Sequence, residues 1–261
     1  RPNIIFFLTD DQRNDFLGCT GHPIVKTPRI DNLANNGRLF DNAFVSTSIC
    51  AASRATLLTG LYERTHRFTF GTPPVADIHI NESYPALLKK EGYLTGFIGK
   101  FGIKVRKGAI ETMFDSFVPL NRSPYFHKQK DGSLRHETQV AADRAIDFLD
   151  RAKNEAEPFC LSISFNASHA EDRDKKDHFP YPKVVSSLYE GVKMPAPRLA
   201  DPEVFNSQPE FLRKSMNRDR FFWRWDTEEK YQNNMRNYLR MISGIDHAIG
   251  RVIDELKSKG M

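Results

Sequence analysis

The chain has 261 residues, enough for one large domain or two small ones, with 39% hydrophobic and 27% charged residues, the ordinary balance of a globular protein. No apolar run approaches the ~18 residues of a membrane span, and no zinc-finger or aromatic RNA-binding signature occurs, so neither a membrane span nor nucleic-acid binding is expected. The net charge of +5 leaves two readings open, a surface that focuses anionic ligands and one that is merely basic.

In chain order, residues 3–8 (NIIFFL) form a short apolar run, closed by Thr9, Asp10 and Asp11. Apolar on both faces, it predicts a buried parallel strand. Ile30, Leu33 and Ala34 predict a short helix stopped at Gly37, and residues 53–58 predict another, ending at Gly60. Residues 95–98 and 159–165 (FCLSISF) repeat the buried-strand pattern. Before the second of these, Val140, Ala141, Ala145, Phe148 and Leu149 mark a helix over 136–153. The alternation predicts an α/β fold with a mainly parallel sheet flanked by helices.

Residues 171–227 have no steady periodicity and carry HFPYPK, MPAPRL and RFFWRW. So long an irregular segment is expected either to wall a substrate site or to be partly disordered. After it, Met235, Tyr238, Leu239, Ile242, Ile245, Ile249, Val252, Ile253 and Leu256 form one apolar stripe, a helix of about six turns. Such a crossover helix should feed a further strand. None follows before Met261, so the sheet is expected to be truncated before its last strands.

The residues suited to chemistry sit at the ends of these runs, where open α/β sheets bind ligands. Asp10 and Asp11 follow the first, and paired carboxylates there suit a hard divalent cation, calcium or magnesium. The competing reading is a solvated turn with Asp11 capping a helix. Cys50 lies at a helix start, where the dipole favours developing negative charge. Arg54 is four residues on, one turn away on the same face. Lys100 ends the second run and His169 follows the third; a histidine suits acid–base work near neutral pH. Cys19, Cys50 and Cys160 are too few and too scattered for a disulfide framework or a zinc site, although one pair remains open. Arg173, Lys175, Lys176, Lys183 and Lys193 read mainly as a solvated face. Trp223 and Trp225 suit either sugar stacking or core packing.

Residues 48–60 (SICAASRATLLTG) resemble the signature of the type I, formylglycine-dependent sulfatases of the alkaline phosphatase superfamily. That signature is Cys-x-Pro-x-Arg followed by a short helix reaching Thr-Gly. Ala52 stands at the usual proline, a minority choice in the family. Gly99-Lys100-Phe101-Gly102 resembles the family's Gly-Lys-Trp-His, with Gly102 in place of the histidine. His169 matches the histidine of a Pro-His-x-Pro turn, whereas Ser168 and Glu171 replace both prolines. Residues 27–33 (TPRIDNL), with Tyr238, Asp246 and Gly250, also follow family habit.

The resemblance implies an alkaline-phosphatase-like fold, with residues 1–261 as the N-terminal catalytic portion of a sulfatase. Cys50 would be oxidised by a formylglycine-generating enzyme, and its hydrate would attack sulfur. Asp10, Asp11 and the modified Cys50 would hold a divalent metal, calcium or magnesium, with Asp, Asn, His or Gln ligands from a later strand. Arg54 and Lys100 would stabilise the sulfate, and His169 would protonate the leaving alcohol. Lys104 or His66 would stand in for the missing histidine. The implied substrate is a sulfate ester, on a glycan or a small molecule, and the implied compartment is periplasmic, secreted or lysosome-like, with any signal peptide outside this chain. A phosphodiesterase or phosphonate hydrolase of the same superfamily and a non-catalytic sulfoglycan-binding relative are the alternatives.

Overall fold

The computed structural model describes residues 1–155 and 157–261. Its main sheet holds β1 (Ile4–Leu8), β2 (Leu94–Gly99), β3 (Ser116–Pro119) and β6 (Phe159–Ser164) in the order β1-β6-β2-β3. All neighbours are parallel, with Ile4 opposite Cys160, Leu94 opposite Phe159 and Gly96 opposite Ser116. A two-stranded antiparallel ribbon, β4 (Phe126–Lys128) and β5 (Leu134–His136), lies apart from it. Parallel neighbours need crossover connections. Between β1 and β2 these are α1 (Pro28–Asn36), α2 (Cys50–Thr59), α3 (Glu63–His66), α4 (Asp77–Asn81) and α5 (Tyr84–Lys90). Helix α6 (Ala109–Met113) joins β2 to β3, and α7 (Glu137–Ala152) leads into β6. Three short helices, α8 (Pro202–Asn206), α9 (Glu210–Arg213) and α10 (Met216–Arg224), precede the 31-residue α11 (Glu228–Ser258).

Every residue of β6 is buried, which explains why its sequence is apolar rather than alternating. Phe159, Leu161 and Ile163 meet Phe148 and Leu149 of α7 and Ile245 and Ile249 of α11 in one core. The other sheet face packs Phe97 against Ala51, Ala55 and Leu58 of α2 and Met113 and Phe114 around α6. The sheet is therefore covered on both faces.

Two of the family-like residues on α11, Asp246 and Gly250, have structural work. Asp246 accepts the N–H groups of Arg29 and Ile30 at 3.0 and 2.8 Å, so it caps the first turn of α1 from a distance. Burial pushes its carboxyl up to about 6. Gly250 lets Arg29 cross: a Cβ there would lie 2.7 Å from Arg29 Cγ.

The irregular segment 171–227 is ordered into structure rather than being shapeless. Its first half buries Phe179, Val185, Tyr189 and Met194, and its second half contains α8, α9 and α10. Phe179 packs on Trp225 with ring centroids 5.5 Å apart. Aromatic burial, not helical periodicity, holds this part, so a period search passes over it. The expected helix over 53–58 begins three residues earlier, at Cys50 itself. The edge strand β3, the ribbon and α3 to α6 carried no sequence expectation, being too short to show a period.

Candidate active site

Three strand ends and one helix start converge. Asp10 and Asp11 follow β1, Lys100 follows β2, and the turn 165–169 follows β6. Cys50 is the first residue of α2, half-buried and unpaired in any disulfide. Ile49 at the N-cap supplies no side-chain acceptor. The first N–H groups of the helix are thus without a side-chain cap beside Cys50, the arrangement that favours an anion.

Arg54, one turn along, is only 6% exposed. Its Nη1 donates to the Lys100 carbonyl at 2.7 Å and to Ser164 Oγ. Ser164 Oγ in turn donates to the same carbonyl at 3.0 Å. Burial pulls the guanidinium below its ordinary value, and Asp10 is the main charge that counters it. Asp10 is 5% exposed; its Oδ2 receives the Lys100 ammonium directly and lies 3.8 Å from Arg54 Nη2.

Backbone geometry sets this cluster. Gly99 has φ +102°, and a Cβ there would lie 1.9 Å from the Ser164 carbonyl oxygen. Only glycine lets β2 turn so close to β6, and Lys100 N then donates to Ser164 O at 2.7 Å. Gly102, at φ +66°, would place a Cβ 3.0 Å from Arg54 Cδ and 3.7 Å from Lys100 Cε. The position that lacks the family's histidine therefore lies against the Arg54–Lys100 pair.

The turn after β6 is locked from two sides. Asp10 N donates to Ala167 O at 3.1 Å and Ser168 N returns to Asp10 O at 2.8 Å. From behind, Glu137 Oε1 accepts Asn166 N at 2.9 Å and Asn166 Nδ2 at 3.1 Å. Tyr125 Oη donates to the His169 carbonyl at 2.6 Å. Complete burial pushes the Glu137 carboxyl up to about 7, against the hydrogen bonds from Asn166. His169 donates from Nδ1 to Ala170 O at 2.7 Å, so its Nε2 is the free ring nitrogen, 3.5 Å from Asp11 Oδ2. Asp11 has a left-handed backbone, φ 53°, and its carboxylate is 61% exposed. Its carbonyl accepts the Tyr238 hydroxyl at 2.9 Å.

Asp10, Arg54 and Lys100 are thus brought together, and Asp11 with His169 beside them. Two other expectations fall outside the cluster. The Lys104 side chain is exposed, and among the described residues its ammonium forms no hydrogen bond or ion pair. His66 is buried and committed elsewhere, with Nε2 3.1 Å from Thr56 Oγ1 and Nδ1 accepting Phe68 N at 3.0 Å. It cannot replace the missing histidine. Ser164, Asn166, Tyr125 and Glu137 were not singled out from sequence. The available signals were a serine inside an apolar strand and an acid opening an amphipathic helix.

As for a metal, the hard oxygens of Asp10 and Asp11 suit calcium or magnesium, which take six to eight oxygen ligands or an octahedron of six. The described residues hold no group of three or more His, Cys, Asp or Glu side chains placed to bind a metal ion. The two carboxylates fit such an ion as part of a ligand set. Beside the cluster an open cavity of about 940 Å³ has Asp11, Ser168, Arg224, Trp225 and Tyr231 in its wall. No helix among the described residues is long and apolar enough to cross a membrane.

The chain is 26% identical over 315 aligned residues to an N-acetylglucosamine-6-O-sulfatase of Bacteroides thetaiotaomicron, covering 100% of this chain and 56% of that protein. Among solved structures, a protein in complex with its substrate D-glucosamine-2-N,6-O-disulfate aligns with a TM-score of 0.73 at 23% identity, over 100% of this chain and 63% of that one. The phosphonate monoester hydrolase of Agrobacterium radiobacter aligns with a TM-score of 0.76 at 23% identity, over 100% and 60%. At such identities the two structures establish the shared alkaline-phosphatase/sulfatase-like fold, and the chain spans 56%, 63% and 60% of these three proteins. Residues 2–261 match the sulfatase family profile, and the chain belongs to the sulfatase family.

Proposed function

We propose that this chain carries the nucleophile-bearing part of a sulfuric ester hydrolase acting on sulfated glycans. The observation that carries the reading is Cys50 at the first position of α2, with Arg54 one turn on and bonded to the Lys100 backbone beside the Asp10–Lys100 ion pair. Family membership and the sulfatase relative support it. Position 50, once oxidised by a formylglycine-generating enzyme, would supply a hydrated aldehyde oxygen as nucleophile. Asp10 and Asp11 would hold the divalent cation, which when bound neutralises sulfate charge.

The chain's own residues supply the rest. Lys100 and Arg54 orient the sulfate and stabilise its charge from positions that are themselves largely buried. The uncapped start of α2 adds its dipole. His169, held by its Nδ1 bond to Ala170 O, presents Nε2 to the leaving oxygen and, as the doubly protonated imidazolium, delivers the Nε2 proton there while Nδ1 keeps its own. Lys104, exposed on the loop after Lys100, contacts substrate groups outside this cluster. A periplasmic, secreted or lysosome-like compartment completes the reading.

Mass spectrometry of the peptide carrying Cys50, from a host that has the maturation enzyme, tests the nucleophile. Formylglycine at position 50 and loss of aryl sulfate turnover in Cys50→Ala are expected. An unmodified thiol together with full turnover in Cys50→Ala defeats the reading. The fold shared with the phosphonate monoester hydrolase favours phosphonate hydrolysis as the second reading. Aryl phosphonate turned over faster than aryl sulfate would select it.

A further inference from the structure

Three arginines from two separate parts of the chain converge on Asp172, three residues past His169. Arg122 follows β3, while Arg220 and Arg224 lie one turn apart on α10 and so share a face. Arg122 Nη2 is 3.2 Å and Arg220 Nη2 3.6 Å from Asp172 Oδ2, and Arg224 Nη2 contacts Oδ1. Arg122 Nη1 also lies 3.6 Å from Glu171 Oε1, a carboxylate that already accepts Ser123 Oγ at 2.7 and 2.9 Å. The group thus sets three positive charges against two negative ones.

Each guanidinium carries five N–H donors, more than these two carboxylates can take. The Nε atoms of Arg220 and Arg224 are buried with no acceptor among the described residues. Asp172 and Glu171 therefore do not match all the donors of these guanidinium groups. Arg224 also lines the cavity of about 940 Å³ that Asp11 and Ser168 line. Arg122 and Arg220 keep 23% and 39% of their side chains exposed, so the group is reachable.

We propose that Arg122, Arg220 and Arg224, gathered on Asp172, form a second anion subsite that holds a further sulfate group of a multiply sulfated glycan. This rests on the sulfatase reading above. The several oxygens of a tetrahedral sulfate can accept guanidinium N–H groups that arrive from different directions. Asp172 orders the three side chains beforehand, which lowers the ordering cost of binding. Arg224 shares one cavity wall with Asp11 and Ser168, so a substrate whose ester group is held beside Asp11 is placed to offer a second anion to the arginines.

The test compares D-glucosamine-2-N,6-O-disulfate with D-glucosamine 6-O-sulfate on the intact protein and on Arg220→Ala, the most exposed of the three. A charged hydrogen bond lost from binding is worth about tenfold. The preference for the disulfate, as a ratio of kcat/KM, should therefore fall about tenfold in Arg220→Ala, mostly through KM, with Arg220→Lys in between. An equal ratio in wild type and variant overturns the subsite, as does a wild type that prefers the monosulfate. If the intact protein hydrolyses neither ester, the sulfatase reading fails by itself. Calorimetric binding of the disulfate then decides the subsite: weaker binding in Arg220→Ala upholds it, and unchanged binding overturns it.

Discussion

The strand-end cluster and the arginine group on Asp172, three residues past His169, are built in opposite ways. The cluster rests on backbone: Gly99 brings β2 against β6, and Asp10 exchanges backbone bonds with Ala167 and Ser168. The arginine group rests on long side chains from a loop and a nine-residue helix. The first arrangement is rigid and suits chemistry, where small displacements are expensive. The second is adjustable and suits recognition of a substrate's outer groups. If that contrast holds, changes in the first region should damage stability and reaction together, and changes in the second should alter preference alone.

The largest effect is expected at Gly99. Gly99→Ala forces a side chain into a left-handed position 1.9 Å from the Ser164 carbonyl, and should cost about 3 kcal/mol or more, combining overpacking with backbone strain. Thermal or urea denaturation measures it, and a loss below about 1 kcal/mol would mean that the β2–β6 turn yields. Next is Arg54→Ala. It removes a buried charge that binds Lys100 O and Ser164 Oγ and faces Asp10, so about 3–5 kcal/mol of stability should go, with turnover lost as well. Retained turnover would separate folding from chemistry in the cluster.

A smaller, pH-dependent effect is expected at Glu137. Its folded-state carboxyl sits at about 7 against an ordinary 4.5, so the folded protein holds this proton longer than the unfolded one. The stability it contributes is complete below the ordinary value and is lost as pH rises through about 7. Glu137→Gln keeps a carbonyl oxygen for Asn166 and removes the titration. Relative to wild type, the variant should gain stability between about pH 5 and about pH 8, as read by urea denaturation at both. A parallel pair of curves would show that Glu137 does not titrate there. The least effect belongs to Lys104→Ala: an exposed side chain with no partner among the described residues should change stability by no more than about 0.5 kcal/mol, and any fall in glycan turnover would mark it as a substrate contact.

The parts of the candidate site that could be read from sequence are those whose residues are neighbours in the chain or end a periodic run. Cys50 and Arg54 are one helical turn apart, and Asp10, Lys100 and His169 each follow a buried apolar run. Ser164, Tyr125 and Glu137 escaped because their roles depend on partners 64, 41 and 29 residues away. His66 illustrates the converse. Its residue type suited a role beside the nucleophile, but packing turned both ring nitrogens to Thr56 and Phe68.

By itself, the sequence determined the parallel strands, the long helix α11 and the cysteine motif, because hydrophobic period and local spacing are properties of the chain before it closes. Only the tertiary structure decided that Arg122, Asp172 and Arg224 meet, across spans of 50 and 52 residues. The cations that stand out in the sequence, Arg173, Lys175 and Lys176, have no place in that group, and Lys175 instead lies over the Trp223 ring at 5.1 Å. Charge carries no period, and which cation reaches which carboxylate depends on how the loops close and what the cavity leaves room for.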